Sequence, residues 1–264
     1  DDFLLKNLKT WLPYKKDYSI EYFVLRGDFM VVGMKYYGLP KTYVVSLADS
    51  SKMHEIKFDS DIYSLSIPDM ENLSLYSNKM VIFYDTWIVK GKKIELDLST
   101  RKMTTLKEFK IKGYSDKDYV QRKITVKDKL CMTVLYNKKK VNFGKKTYPC
   151  FFDGYGAYGA TIEPGFNNKI PSLLDRGFIY CITHIRGGGY YDTKWYNEGK
   201  LLKKINSFTD YANCVSYMID KKYTTPDKVT IFGRSAGGLL MGAVVNMIPE
   251  KINLAILGVP FLDV

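Results

Sequence analysis

The residue best placed to do chemistry in this sequence is Ser235. It lies in the pentapeptide Gly-Arg-Ser-Ala-Gly at residues 233–237, which has the Gly-x-Ser-x-Gly form. An apolar strand pattern at 229–232 precedes it, and a helical pattern at 237–247 follows it. A sharp strand–turn–helix connection of this kind projects a serine hydroxyl away from the backbone, so the sequence predicts a nucleophilic serine. The alternative is a helix that simply begins in a turn rich in serine and glycine.

A serine hydroxyl needs further groups before it can act as a nucleophile. In such a turn the N–H of Ala236 points at the substrate carbonyl oxygen and stabilises the negative charge that develops there. A base must also take the serine proton, and α/β-hydrolases place an acid and then a histidine after the serine. Only 29 residues follow Ser235, and the two histidines, His54 and His184, both precede it. We therefore expect the triad acid and histidine to be missing and the chain alone to be inactive.

The elements around Ser235 change in character after about Gly113. From there strands alternate with helical segments, a pattern typical of an α/β fold with a parallel sheet covered by helices. The predicted strands are 148–152, 178–185, 229–232 and 254–257, and the predicted helices are 171–175, 207–220 and 237–247.

The first half of the chain has short alternating runs separated by turns, which predict an antiparallel meander. The predicted strands are 29–32, 42–47, 62–67, 79–84 and 94–98. The segment 45–53 resembles the segment 96–103, and their equivalent lysines are fifty residues apart. A period near fifty residues is typical of a β-propeller blade, although two weak copies also fit coincidence in a β-rich stretch.

Composition limits the possible partners and groups. The 40 Lys and Arg outnumber the 28 Asp and Glu, but they are scattered along the chain. The densest basic run, 138–146, is predicted to be an exposed turn rather than a nucleic-acid surface. The four cysteines form no Cys-x-x-Cys pair, so we expect buried free thiols and no metal or cofactor.

The expected cellular location is inferred from the lack of a membrane-spanning stretch and of a leader sequence. No apolar stretch is long enough to span a bilayer and no leader opens the sequence, so we predict a cytoplasmic protein without membrane contacts. The chain begins with Asp1 rather than Met, and we expect that its first residue is not the start of the gene product.

Four stretches, in order, resemble the prolyl oligopeptidase family of serine peptidases and, within it, the oligopeptidase B group. They are Gly-Tyr-Gly-Ala-Tyr-Gly at 154–159, Ser-Leu-Leu-Asp-Arg-Gly-Phe at 172–178, the His-Ile-Arg-Gly-Gly-Gly and Trp-Tyr-Asn-Glu-Gly-Lys motifs within 184–204, and the nucleophile region 231–264. The resemblance implies a β-propeller followed by an α/β-hydrolase domain. We therefore predict the last blades of a propeller at 1–113 and the N-terminal half of the hydrolase domain at 114–264, with truncation at both ends.

The resemblance also implies roles for individual residues. Ser235 would be the acylated nucleophile, and the Tyr155 hydroxyl would stabilise the oxyanion together with the Ala236 N–H. Tyr158 would line the pocket for the residue before the cleaved bond, and Glu163 would contact a basic substrate side chain. The alternatives are a packing role for the Tyr155 ring and an exposed loop carboxylate at Glu163.

Some positions depart from the family pattern. Gly165 stands where some relatives have a second acid, and Tyr190 stands where they usually have Glu. His184 belongs to a motif that the family has in addition to its catalytic histidine, so we expect a structural role for it. Asp263 likewise belongs to a motif distinct from the triad acid.

The function implied is a serine endopeptidase that hydrolyses short basic peptides after Arg or Lys, with no nucleic-acid partner and no predicted oligomeric state. The net charge of +12 disfavours attraction of basic peptides. The alternatives are a non-catalytic binding module on a hydrolase scaffold and an esterase-like hydrolase.

Overall fold

The computed structural model describes residues 10–13 and 18–262, which fold into two compact units. The described residues of the first unit fall within Asp1–Asp61, Leu65–Tyr84 and Lys92–Lys107, and those of the second fall within Ile62–Ser64, Asp85–Gly91 and Glu108–Val264.

The strands of the first half form two four-stranded sheets. One has the order β1 (Tyr18–Arg26), β2 (Phe29–Tyr36), β3 (Leu39–Ser46) and β4 (Met53–Ile56), and all its pairs are antiparallel. The other has the order β5 (Ser64–Ser66), β6 (Lys79–Asp85), β7 (Lys92–Asp97) and β8 (Met103–Glu108). In both sheets the strands follow chain order, as in a propeller blade.

The internal repeat of the sequence marks equivalent positions in these two sheets. The segment 45–53 carries the connection from β3 to β4, and the segment 96–103 carries the connection from β7 to β8. In each connection an aspartate turns the chain, because Asp49 accepts a hydrogen bond from the N–H of Ser51 and Asp97 accepts one from the N–H of Ser99. Both copies of the repeat thus lie at the connection between the third and fourth strands of a four-stranded sheet.

The second unit is built on a six-stranded sheet with four helices. The sheet has the order β14 (Leu254–Gly258), β13 (Val229–Arg234), β11 (Cys150–Asp153), β12 (Ile179–His184), β10 (Leu130–Asn137) and β9 (Tyr119–Lys127). The helices are α1 (Lys169–Leu174), α2 (Thr193–Asn197), α3 (Ile205–Asp220) and α4 (Ala236–Met247). Every strand and helix predicted for this half is present, with boundaries that differ by a few residues.

The predicted parallel sheet is present and continues into an antiparallel part. Strands β11, β12, β13 and β14 pair in parallel, but β9 pairs antiparallel with β10, and β10 pairs antiparallel with β12. Only Asp128 and Lys129 separate β9 from β10, and Asp128 has a positive φ of 49°. A connection this short can join only antiparallel neighbours, so the two strands form a hairpin.

The core of the second unit lies between this sheet and helices α3 and α4. Phe152 and Ile231 from the sheet pack with Tyr211 from α3 and Leu240 from α4. All four cysteines are buried free thiols, as the sequence predicted. Within the described residues, no helix combines the length and the apolar character needed to cross a bilayer.

Candidate active site

Ser235 is the single residue between strand β13 and helix α4. Its backbone has φ 55° and ψ −118°, a conformation that residues with a side chain seldom adopt. Such strain persists only where the surrounding structure enforces it, and it concentrates at functional sites. The predicted strand–turn–helix geometry at Ser235 is therefore confirmed.

The two glycines of the pentapeptide are required by close approaches of the backbone. A Cβ at Gly233 would lie 2.1 Å from the carbonyl oxygen of Gly237, and a Cβ at Gly237 would lie 2.7 Å from the carbonyl oxygen of Gly154. The turn is also fixed by main-chain hydrogen bonds, since Ser235 N donates to the Gly258 carbonyl at 2.8 Å. A side chain at residue 233 or 237 would therefore overlap a backbone oxygen.

Helix α4 directs its N-terminus at the serine. The first N–H groups of a helix have no acceptor within the helix, and the aligned peptide dipoles place partial positive charge at that end. The buried Ala236 is the first residue of α4, and the Ser235 carbonyl accepts the N–H of Gly238 at 2.8 Å. In the described part of the chain the Ser235 hydroxyl makes no capping bond to the helix. The junction therefore offers a hydroxyl beside main-chain N–H donors.

Tyr155 lies in the loop that follows β11, and its ring packs against the same turn. Its Cδ2 atom is 3.5 Å from the place where a Cβ of Gly237 would lie. The N–H of the preceding Gly154 donates to the Phe232 carbonyl at 3.2 Å, which ties the loop to the strand that leads to Ser235. The structure thus brings Tyr155 and the Ser235 turn together.

Tyr158 and Glu163 occupy the continuation of this loop. The Tyr158 ring is 71% exposed, and its centroid is 6.4 Å from that of Tyr155. Glu163 is exposed. Burial raises the pKa of the Tyr190 phenol, and smaller contributions come from neighbouring groups that include Glu163. Tyr190 and Tyr155 line one small cavity of about 10 Å³.

His184 is enclosed in the second unit. It is 6% exposed, its Nε2 lies 2.8 Å from the Thr133 hydroxyl, and its ring stacks on Tyr190 at a centroid distance of 3.7 Å. These contacts agree with the structural role expected for it. The other histidine, His54, is exposed on β4.

Sequence reasoning missed a set of residues on helix α3 and in the segment just before it. Asp210 accepts hydrogen bonds from the Arg186 backbone N–H at 3.0 Å and from its guanidinium at 2.8 and 2.6 Å. This interaction raises the pKa of Arg186. Ser207 bonds to the Arg186 carbonyl at 2.7 Å, and Lys204 bonds to the Gly156 carbonyl. Lys204, Ser207 and Asp210 are spaced by three residues and therefore lie on one face of the helix and its N-terminal cap. The sequence predicts a helix that begins at Ser207, so it does not connect Lys204 with the other two residues.

Two further predictions concern Asp263 and the absence of a metal site. Asp263 lies outside the described residues. Among residues 10–13 and 18–262, no three His, Cys, Asp or Glu side chains are arranged to hold a metal ion.

Comparison with known proteins identifies sequence relatives of this chain. Residues 164–264 match the prolyl oligopeptidase family. Dipeptidyl aminopeptidase BI of Pseudoxanthomonas mexicana is 35% identical over 264 residues, which cover 98% of this chain and 36% of that protein. Protease 2 of Moraxella lacunata is 29% identical over 252 residues, which cover 94% of this chain and 35% of that protein.

A solved structure agrees with both units. Oligopeptidase B from Trypanosoma brucei, with covalently bound antipain, matches with a TM-score of 0.87 and 30% identity over 95% of this chain and 37% of that one. Such structures combine a β-propeller with an α/β-hydrolase domain. The chain thus spans little more than a third of the length of these relatives. On its sequence and its fold, the chain belongs to the prolyl oligopeptidase family of serine peptidases.

Proposed function

We propose that the protein containing this chain is an oligopeptidase B-like serine endopeptidase that forms an acyl-enzyme at Ser235. The observation that carries this proposal is the strained backbone of Ser235 at the β13–α4 junction, with the Tyr155 ring packed against the turn. Strain held at one serine, beside free helix N–H groups and a phenol, suits nucleophilic attack on a carbonyl carbon.

The proposed mechanism assigns one step to each group. The Ser235 oxygen attacks the peptide carbonyl carbon, and its proton passes to a base and then to the departing amine. The Ala236 N–H and the Tyr155 hydroxyl donate hydrogen bonds to the oxygen that becomes negative in the tetrahedral intermediate. Water then hydrolyses the resulting ester and frees Ser235.

We propose that the base and its partner acid lie outside these 264 residues. His184 is buried against Thr133 and Tyr190, and His54 is exposed on β4. The relatives are also much longer than this chain. In this arrangement residues 1–113 are the last propeller blades, and residues 114–264 are the N-terminal half of the hydrolase domain.

We further propose that the substrates are short peptides cleaved after Arg or Lys. The exposed Tyr158 lines the pocket for that residue, and the exposed carboxylate of Glu163 attracts its positive charge. The net charge of +12 acts against this preference at long range, so the preference has to come from the local carboxylate.

The test uses the whole protein, a fluorophosphonate probe and fluorogenic peptides that differ only in Arg, Lys, Pro or Glu before the reporter. We expect Ser235 to be labelled, the Arg and Lys peptides to be hydrolysed fastest, and Ser235→Ala to abolish both signals. The 264-residue chain alone should hydrolyse none of them well, because loss of triad members leaves only about 10³- to 10⁴-fold over the uncatalysed rate. A whole protein that neither reacts with the probe nor cleaves any peptide would instead be a binding module on a hydrolase scaffold.

A further inference from the structure

The loop that carries Tyr155 is contacted by helix α3 and by Lys204, the residue directly before that helix. The Tyr211 hydroxyl donates to the Phe152 carbonyl at 2.9 Å, and the Tyr211 ring fills the space beside Gly154. Two residues further on, the Lys204 ammonium donates to the Gly156 carbonyl at 2.5 Å. These contacts lie on both sides of Tyr155 in the chain, one at Gly154 and one at Gly156.

The Gly156 carbonyl depends on Lys204 for its hydrogen bond. Among the described residues, the other side-chain donor within reach is the Ser207 hydroxyl, at 3.4 Å. That hydroxyl has a single proton to donate, and the carbonyls of Arg186 and Gly199 are closer to it, at 2.7 and 3.1 Å. The Lys204 ammonium itself lies 3.2 Å from the Ser207 oxygen. Lys204 is therefore the donor that fixes the Gly156–Ala157 peptide group, one residue after Tyr155.

Lys204 occupies an unfavourable position for a cation. It is the residue that caps the N-terminus of α3, where the peptide dipoles disfavour positive charge. It is partly buried, its ammonium lies 5.8 Å from the centre of the Phe208 ring, and no described carboxylate pairs with it. Burial lowers the pKa of Lys204 to about 8. The fold thus holds an ammonium at this point although the surroundings oppose its charge.

We propose that Lys204 is a positioning residue that sets the place of the Tyr155 hydroxyl in the oxyanion site by fixing the Gly156 carbonyl. This inference rests on the proposed hydrolysis at Ser235. Main-chain bonds also hold the loop, from Gly154 N to the Phe232 carbonyl and from Gly159 N to the Gly187 carbonyl. The Lys204 bond is the side-chain contact on the residue that follows Tyr155, and a substitution can remove it.

The test is a double-mutant cycle in the whole protein with Lys204→Met, Tyr155→Phe and the combined variant. We expect Lys204→Met to lower kcat by about 10- to 100-fold with KM within about twofold of wild type, because a small displacement of a catalytic group slows the chemical step. In the Tyr155→Phe background the same change should lower kcat less than twofold, since the hydroxyl it positions is gone. Lys204→Gln, which has a shorter uncharged side chain, should behave like Lys204→Met and decides the matter if the Met variant does not fold.

The matched control is Lys203→Met, which removes the same charge one residue earlier. Lys203 points outward and pairs with Glu198 at 2.7 Å, so its loss should leave kcat within about twofold of wild type. Folded Lys204 variants with wild-type kcat, or an equal loss of kcat in the wild-type and Tyr155→Phe backgrounds, would overturn this proposal and leave the proposed function standing. Absence of any Ser235-dependent hydrolysis in the wild-type protein would overturn both.

Discussion

The Tyr155 ring lies beside the position that a side chain at Gly237 would occupy, at the point where the chain turns into helix α4. The ring carbon Cδ2 lies 3.5 Å from the position of a Cβ at Gly237, and the neighbouring Gly154 carbonyl oxygen lies only 2.7 Å from it. The loop after β11 and the turn at Ser235 therefore constrain each other, and a side chain at residue 237 would separate them.

A side chain at Gly237 should disrupt this contact. We expect Gly237→Ala to lower the free energy of unfolding by about 1–3 kcal/mol, because the new methyl group overlaps a backbone oxygen that cannot rotate away. The measurement is a urea titration of the purified chain. Gly165→Ala is the matched control, since a Cβ at Gly165 meets no atom within 4 Å, and it should stay within about 0.5 kcal/mol of wild type. Equal stabilities of the two variants would contradict the close approach of the Gly154 carbonyl oxygen to residue 237.

The Tyr155 hydroxyl should matter for catalysis and not for folding. Tyr155→Phe keeps the ring against Gly237 and removes only the donor. We expect kcat of the whole protein to fall by about 10²- to 10³-fold, the usual effect of losing one oxyanion donor, with no change in the unfolding midpoint. Tyr76→Phe, at a tyrosine that is 93% exposed, is the control and should leave kcat unchanged. Full kcat in the Tyr155→Phe enzyme would assign the ring to packing alone.

The Arg186–Asp210 pair should stabilise the second unit strongly. Asp210 is buried and accepts three hydrogen bonds from Arg186, so Asp210→Asn leaves a guanidinium without its counter-charge. We expect the free energy of unfolding to fall by about 3 kcal/mol.

The control for this prediction is an exposed pair in the same unit. Lys139 is 65% exposed and contacts Asp118 at 2.7 Å, so Lys139→Met should cost less than about 1 kcal/mol. Denaturant titrations of both variants measure the difference. Similar losses from the two substitutions would show that burial adds nothing to the Arg186–Asp210 interaction.

Lys204 should leave a signature in the pH dependence of stability. Burial lowers its pKa from 10.5 to about 8 in the folded chain. Between these two pH values the unfolded chain keeps a proton that the folded chain has released, so Lys204 makes the free energy of unfolding rise with pH. Below about pH 8 both states hold the proton, and the cost of burying the charge is fully present.

Thermal unfolding of wild type and Lys204→Met from pH 7 to 10.5 measures this contribution. We expect wild type to gain stability relative to Lys204→Met as the pH rises above about 8, whereas Lys203→Met should follow the wild-type dependence. A constant difference between wild type and Lys204→Met over this range would show that Lys204 ionises equally in both states.

Local pattern was enough to predict most of the elements. The run 229–247 predicted strand, turn and helix at Ser235 because hydrophobic period and glycine placement are properties of neighbouring residues. The fifty-residue repeat located two equivalent hairpin connections for the same reason. The β9–β10 hairpin was not predicted, because its strands were not distinguished within the basic stretch after residue 113, and its turn lacks glycine.

By itself the sequence determined the family and the strand–turn–helix junction at Ser235, the residue that we propose as the nucleophile. Only the tertiary structure decided that Tyr155 lies against that junction, that His184 is enclosed by Thr133 and Tyr190, and that Lys204 holds the Tyr155 loop. The physical reason is distance along the chain. Strand and helix signals arise within a few residues, whereas the contacts of Tyr155 with the Gly237 turn, of Thr133 with His184 and of Gly156 with Lys204 join residues about fifty to eighty positions apart. They exist only after the chain has folded.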